Sequence, residues 1–360
     1  MNHRTLTPLL TATAAAVLTA VGLPGAASAH GARPVGHVYE ATNAASGNGI
    51  GIFDRYADGT LEPAGVVPTG GLGAGASLHS QGGLARDGHL IFAVNAGDDT
   101  VSALYAGPRG LELRDTVSSH GDFPVSVTVR DGIGYVLNQN SDTISAFRYE
   151  RDGDLRAIPQ STRSLTPNPA GGITDAAQVS FAPDGRTIVV TEKASNTIDT
   201  FAVRHGLATA ATPHRAAGTT PYGFDFDRAG HAIVSEAASG SASSYGLQPF
   251  RTITAALADT QRAACWLVVA RGHAFVVNAA SASVSSYAIG PDGSLTLRQA
   301  VAGTASAGAT DAAVSPDQRT LAVRLADGSV QTWKINGDGS LTSVGTAAAS
   351  AIGSAGLVAD

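Results

Sequence analysis

The sequence predicts an all-β fold, a seven-bladed β-propeller of four-stranded antiparallel blades whose ring is closed by N- and C-terminal strands sharing one blade. Three observations predict it. A hairpin motif recurs seven times, the copies are spaced as propeller blades are, and the two ends of the chain carry complementary fragments of one blade.

The recurring motif consists of the end of one strand, a turn and the following strand. Its equivalent positions lie 42 to 54 residues apart, close to the roughly 40 to 50 residues of a four-stranded blade. A looser copy begins at Thr42. The clear copies are VNAGDDTVSALY (94–105), LNQNSDTISAFR (137–148), TEKASNTIDTFA (191–202), SEAASGSASSYG (235–246), VNAASASVSSYA (277–288) and VRLADGSVQTWK (323–334).

Turn signals separate the strands within each unit. Residues that tolerate positive φ stand between short β-branched or alternating runs, as consecutive hairpins require. One set lies between the first two strands, as at Asp131-Gly132, and another precedes the fourth strand, as at Asp292-Gly293. No stretch has a sustained helical period, so the units are predicted to contain strands only.

The chain ends match different strands of one blade. Residues 356–360 resemble 83–87, the first strand of a unit, whereas residues 36–39 resemble a second strand. A ring must join its ends, while a solenoid needs a cap at each end. We therefore predict one shared blade, which removes the sheet edge that would otherwise be exposed.

Residues 1–29 have the pattern of a secretory signal peptide. A positive start is followed by an apolar run and by Ala27-Ser28-Ala29. The apolar run is broken by Pro24 and is shorter than the roughly 20 residues of a membrane-spanning helix. We expect cleavage after Ala29, one propeller domain over 30–360, and a secreted, extracellular protein without a membrane span.

Composition narrows the classes of partner. The net charge of −6 provides no basic field for phosphates, so nucleic acid is not an expected partner. Cys265 is the only cysteine, so packing rather than an internal disulfide must stabilise the chain. No local His, Cys or Asp spacing is typical of a metal site. We expect a monomer with no metal and no cofactor.

The repeats resemble the lactonase family of seven-bladed propellers, which includes propeller-type 6-phosphogluconolactonases and carboxymuconate-lactonizing enzymes. The resemblance is carried by FAPDGR (181–186) and by hairpins of the form Asn-x-x-x-x-Thr-Val/Ile-Ser. It implies a propeller fold and hydrolysis of a lactone. The family's His-Ala-His-Gln-Val-like strand is matched here by DAAQV (175–179) and its Gly-Pro-Arg-His by TPYG (220–223), while the acidic residue of its Asn-Glu-Leu is matched by Glu236.

Topology places a candidate site at one mouth of the ring. The loops that lead into first strands share a face with the ends of second strands, and polar groups that converge on a ring mouth suggest a pocket. Carboxylates that could activate water there are Glu236, Glu192 and Asp175, which are the predicted catalytic residues. The predicted ligand-binding residues are Gln178, Tyr222, His79, His120, Asp122, Trp266 and Arg324.

Three functions are compatible with these features. The first is a secreted hydrolase of a small carbohydrate-derived or aromatic lactone. The second is a non-catalytic propeller that binds a small molecule or an envelope protein. The third, a quinone-dependent redox enzyme, has no sequence signature in this chain. Export and the lack of a clustered basic clamp argue against a cytosolic phosphosugar as substrate.

Overall fold

The computed structural model describes residues 33–306, 308–348 and 356–360, and it folds them into seven antiparallel sheets. The predicted signal peptide at 1–29 lies outside these residues. Within the described ranges, no helix is both long and apolar enough to cross a membrane.

Blade 1 is assembled from both ends of the chain. In order from the inside of the ring outwards, its strands are β30 (Leu357–Ala359), β1 (Gly36–Ala41), β2 (Gly49–Arg55) and β3 (Leu61–Pro68). The register pairs Val38 with Ala359 and Glu40 with Leu357. The predicted closure of the ring is therefore confirmed.

The other blades are consecutive in sequence, and each begins with its innermost strand. Blade 2 contains β4 (Leu84–Asp87), β5 (Leu90–Asn95), β6 (Thr100–Gly107) and β7 (Gly110–Ser118). Blade 3 contains β8 (Pro124–Arg130), β9 (Ile133–Asn138) and β10 (Thr143–Tyr149), with β11 (Leu155–Ala157) and β12 (Arg163–Ser164) both pairing with β10. Blade 4 contains β13 (Ala176–Phe181), β14 (Thr187–Glu192) and β15 (Thr197–Arg204), with β16 (Leu207–Ala208) and β17 (Thr212–Arg215) both pairing with β15.

Blades 5 to 7 have four unbroken strands each. Blade 5 contains β18 (Pro221–Phe226), β19 (Ala232–Glu236), β20 (Ser241–Leu247) and β21 (Phe250–Ala258). Blade 6 contains β22 (Ala264–Ala270), β23 (His273–Asn278), β24 (Ser283–Ile289) and β25 (Leu295–Thr304), with one 3₁₀ turn (Ala279–Ser281) before β24. Blade 7 contains β26 (Ala309–Val314), β27 (Thr320–Leu325), β28 (Val330–Ile335) and β29 (Leu341–Ala347).

The repeated hairpin motif has a structural cause. Asn95, at the end of β5, donates to Thr100 Oγ1 at 2.9 Å and to Ser102 Oγ at 2.8 Å, which lie five and seven residues later. Asn138 and Asn278 are placed in the same way in blades 3 and 6. Because these amides are buried, the hydroxyls that pair with them hold each hairpin in register.

Apolar side chains fill the space between blades. Phe92 of blade 2 packs against Tyr149 of blade 3 with ring centroids 4.8 Å apart, and Tyr135 of blade 3 packs against Phe181 of blade 4 at 5.7 Å. Edge-to-face contacts of this kind add to the gain from burying apolar area. Packing between sheets therefore holds the ring as a rigid frame for its two faces.

Candidate functional site

The loop face is the side of the ring where loops lead into the innermost strands. Phe123, Asp175, Thr220 and Ala263 stand immediately before four of those strands, each with φ between +52° and +61°. Each of these strands then has a register irregularity within its first few residues. Left-handed residues and bulges redirect side chains, and they are frequent beside functional sites.

A chain segment at this face is hydrogen-bonded to the inner strands of several blades. It comprises Leu78–Gly82 and is called the axial segment here. Gln81 Nε2 donates to the carbonyl of Leu267 at 2.7 Å, and Leu267 N donates back to Gln81 Oε1 at 2.9 Å. Gln81 N also donates to the carbonyl of Ala177 at 3.0 Å. A segment that enters from blade 2 is thereby bound to blades 4 and 6.

Ser80 of the axial segment also contacts two of the surrounding blades. Ser80 Oγ donates to the carbonyl of Val125 in blade 3 at 2.8 Å, and Trp266 Nε1 of blade 6 donates to the carbonyl of Ser80 at 2.8 Å. The predicted ligand-binding residue Trp266 is thus buried and engaged by the chain itself. The open part of the loop face lies outside this segment.

Lys193 organises the polar groups beside the axial segment. Its Nζ lies 3.1 Å from Asp175 Oδ1 and donates to the carbonyl of His79 at 2.6 Å. The Lys193 side chain is 7% exposed, whereas that of Asp175 is 44% exposed. Burial lowers the pKa of Lys193, and the charge of Asp175 opposes that change. The result is a buried cation whose carboxylate partner faces solvent.

Tyr222 and Cys265 lie next to this ion pair. The Lys193 ammonium is 5.1 Å from the centre of the Tyr222 ring, which packs against Trp266 at 5.3 Å. The Tyr222 hydroxyl is buried and has no hydrogen-bond partner among the described residues, and burial raises its pKa. Burial also raises the pKa of Cys265 to about 12, so this thiol is protonated and unsuited to nucleophilic attack.

Gln178 is buried and joins two blades. Its Nε2 donates to the carbonyl of Phe224 at 2.9 Å, and Phe224 N donates to its Oε1 at 2.7 Å. Both ends of the amide are therefore occupied by the neighbouring strand. The structure places this predicted ligand-binding residue between the inner strands of blades 4 and 5.

Glu236 lies inside blade 5, at the position that asparagine occupies in other blades. Its Oε1 accepts from Gly218 N at 2.7 Å, Ser243 Oγ at 2.9 Å and Tyr245 OH at 3.2 Å. Its Oε2 accepts from Ser241 Oγ at 3.0 Å. The side chain is fully buried, and its oxygens bind this hairpin rather than facing the mouth.

Glu192 occupies the equivalent position in blade 4 and faces a second carboxyl group. The residue seven positions later, a serine in four of the other blades, is here the buried Asp199. Burial and a hydrogen bond with Asp199 raise the pKa of Glu192 to about 9. Asp199 already accepts from the amide and hydroxyl of Thr166, so the proton shared by the two acids resides on Glu192.

The remaining predicted residues lie apart from the Lys193 pair. Arg324 is buried in blade 7, where its Nε is 3.2 Å from Glu40 Oε2 of blade 1. His120 and Asp122 are exposed in the loop before β8, and the His79 side chain is exposed while its carbonyl binds Lys193. In the ranges that the structure describes, no three His, Cys, Asp or Glu side chains are grouped to hold a metal ion.

The structure therefore brings together Asp175, Tyr222, Trp266 and the backbone of His79, with Lys193 at their centre. Lys193 was not among the catalytic or ligand-binding residues predicted from the sequence. The available signal was its position directly after Glu192, at the end of a second strand, where the other copies have no lysine.

A sequence profile of the family described as "Lactonase, 7-bladed beta-propeller" matches residues 132–252. This part of the chain is similar to that lactonase propeller family. The match runs from β9 of blade 3 to the start of β21 in blade 5, and the described chain forms seven such sheets in all.

Solved structures share the fold of this seven-bladed propeller. A Lactobacillus plantarum protein is 16% identical with a TM-score of 0.73, covering 90% of this chain and 99% of that one. A Pseudomonas aeruginosa periplasmic gluconolactonase is 18% identical with a TM-score of 0.69, covering 89% and 98%. A candidate 6-phosphogluconolactonase from Bacteroides uniformis is 20% identical with a TM-score of 0.71, covering 90% and 99%. A search of curated proteins found no match.

Proposed function

We propose that this lactonase-family propeller hydrolyses a small lactone at the loop face, with Asp175 and Lys193 as its reacting groups. The observation that supports the proposal is their ion pair, in which a buried ammonium lies 3.1 Å from a carboxylate that solvent can reach. Hydrolysis of a lactone needs a base for water and positive charge for the oxyanion that forms, and this pair combines both.

The proposed steps use only these two side chains. Asp175 takes a proton from water while the water oxygen attacks the lactone carbonyl, and Lys193 stabilises the negative charge on the carbonyl oxygen. The ring C–O bond then breaks, and the proton on Asp175 returns to the alkoxide that leaves. The product is the open-chain hydroxy acid. Burial of Lys193 favours this role, since a charge acts more strongly where water is excluded.

A small, unphosphorylated sugar or aromatic lactone suits this site best. Asp175 is the exposed member of the ion pair, so substrate would reach the pair from the loop face. Lys193 is the one cation in the contacts described around Asp175, whereas a phosphate group is better held by several cationic side chains. The Pseudomonas aeruginosa relative is named a gluconolactonase, which supports a sugar lactone as the first compound to test.

The proposal includes export as a monomer after cleavage behind Ala29. The charged start, apolar run and small residues of 1–29 support it. Expression of the full chain in an exporting host, followed by N-terminal sequencing of the secreted protein, should identify His30 as the first residue. A protein that stays in the cytoplasm with its first 29 residues intact would contradict it.

The catalytic proposal is tested by titrating released acid with glucono-δ-lactone and a panel of aromatic lactones. We expect hydrolysis above buffer, with Asp175→Asn and Lys193→Met each lowering kcat/KM by about 10²-fold or more. The matched control is Asp98→Asn, which removes an exposed carboxylate at the same face of blade 2. Rates equal to buffer for the wild-type protein, or equal losses in all three variants, would contradict the proposal.

A second candidate is a non-catalytic propeller that binds a small lactone or an envelope protein. The placement of Glu192 and Glu236 inside their blades favours it. In that case calorimetry would detect lactone binding that Asp175→Asn weakens, while no acid is released.

A further inference from the structure

The opposite side of the ring, the turn face, carries the turns between first and second strands. A cavity of about 790 Å³ opens there along blades 5, 6 and 7. Phe226, Val269 and Ile289 line it and are only half-buried, so part of its wall is apolar. The charged residues that line it are Asp227, Arg228, Arg271 and Asp317.

The two carboxylates of this cavity are already bound by the chain. Asp227 accepts from Ala229 N at 2.9 Å, from His231 N at 2.8 Å and from His231 Nδ1 at 2.7 Å. Asp317 lies 3.9 Å from Arg55, a buried arginine whose charge helps to lower the Asp317 pKa. Neither acid lies within 4.0 Å of Arg228 or Arg271 as an ion-pair partner.

Arg228 and Arg271 have no carboxylate within 4.0 Å in the described part of the chain, and the repeat explains why. The corresponding turn in blade 3 is Arg-Asp-Gly, where Arg130 lies 3.3 Å from Asp131. In blade 5 that aspartate is replaced by Ala229, and in blade 6 it is missing, since Gly272 follows Arg271 directly. The acid is thus lost at two neighbouring turns that line one cavity.

The turns that carry these arginines are held in place. The Asp227 bonds to Ala229 and His231 close the turn around Arg228. Arg271 N donates to Gln318 Oε1 of blade 7 at 3.0 Å, which ties its turn to the next blade. Two positive side chains are therefore presented from fixed backbone positions at the rim of a partly apolar cavity.

We propose that this cavity binds an amphipathic organic carboxylate, with its apolar body on the Phe226, Val269 and Ile289 wall and its carboxylate between Arg228 and Arg271. Guanidinium groups bind carboxylates through paired, charge-assisted hydrogen bonds, and burial of an apolar body adds affinity. This site lies on the other face of the ring from Asp175 and is independent of lactone hydrolysis.

The test is calorimetric titration of the full chain with 2-naphthoate, 2-naphthamide and acetate. We expect naphthoate to bind at least about tenfold more tightly than its neutral amide, because the amide lacks the charge that the arginines recognise. Acetate, which lacks an apolar body, should bind more weakly than naphthoate by a similar factor. Equal affinities for naphthoate and naphthamide would overturn the proposal.

Variants locate the bound carboxylate. Arg228→Gln and Arg271→Gln should each weaken naphthoate binding by at least about tenfold without changing the far-ultraviolet circular dichroism spectrum. The matched control is Arg151→Gln, which removes an exposed arginine from the turn face of blade 3 and should leave binding unchanged. Wild-type binding by both cavity variants, or an equal loss in the control, would refute the assignment.

Discussion

Replacing Glu192 with glutamine should stabilise the protein at neutral pH. The buried Glu192 carboxyl stays protonated in the folded chain, because burial and the nearby Asp199 carboxylate raise its pKa to about 9 from an ordinary value of 4.5. The unfolded chain releases this proton above pH 4.5. Folding must therefore take up a proton, and the free energy of unfolding falls as pH rises between these two values.

The size of the effect follows from this difference in pKa. Between the two pKa values, the free energy of unfolding falls by about 1.4 kcal/mol per pH unit, or by about 3 kcal/mol between pH 5 and pH 7. Glutamine keeps the geometry, since its N–H can donate to Asp199 and its oxygen can accept from Ser195, which now donates to Glu192 Oε2 at 2.6 Å. Glu192→Gln should therefore lose the pH dependence that comes from this position.

The assay is urea unfolding at pH 5, 6, 7 and 8, followed by the fluorescence of the buried Trp266 and Trp333. The difference in unfolding free energy between Glu192→Gln and wild type should grow in favour of the variant as pH rises. Glu236→Gln is the matched control. Its amide oxygen can still accept from Gly218 N, and its N–H can donate to Ser241 Oγ, because a hydroxyl also accepts hydrogen bonds. A pH-independent difference for Glu192→Gln would refute the reasoning.

Two further predictions concern the ends and the axis of the ring. Hydrogen bonds from His37 and Tyr39 outweigh burial and lower the pKa of Asp360 to about 2, so its stabilising effect is present above pH 3.8 and lost as pH falls towards 2. Asp360→Asn should lower the free energy of unfolding by about 1–2 kcal/mol at pH 7 and by less below pH 3.8. The measurement is unfolding of both proteins above and below pH 3.8. An equal loss of unfolding free energy under the two conditions would contradict this prediction. Gln81→Met should lower the free energy of unfolding by about 2–4 kcal/mol, because it leaves the buried N–H and carbonyl of Leu267 unpaired. A thermal unfolding midpoint equal to that of the wild-type protein would contradict this role of Gln81.

The ring could be predicted from the sequence because the same hairpin motif recurs in each blade. Each copy of the hairpin repeats the spacing between an amide and hydroxyls five and seven residues later, which is a contact visible along the chain. The complementary ends could be matched for the same reason. The outer strands of blades 3 and 4 are each split in two, and this was not predicted, since edge strands depend on few partners.

The arrangement of the candidate site was harder to predict, because it depends on contacts between distant blades. The 52-residue step from Asn43 to Asn95 contains an extra loop, yet nothing local shows that Gln81 reaches Leu267 across the axis. Glu192 and Glu236 could have been read differently. Their spacing to residues 199 and 243 matches the Asn–Ser pairs of other blades, which indicates a role within the hairpin.

The sharing of blade 1 has a consequence for biosynthesis. His37 and Asp360 are bonded across 323 residues of sequence, so the sheet that is started first during translation is the last to be completed. Until β30 emerges, β1 presents an unpaired inner edge to every other nascent strand. β30 therefore completes the ring. A variant without Leu357–Ala359 should form an incomplete propeller in which β1 has an unpaired edge that is prone to aggregation.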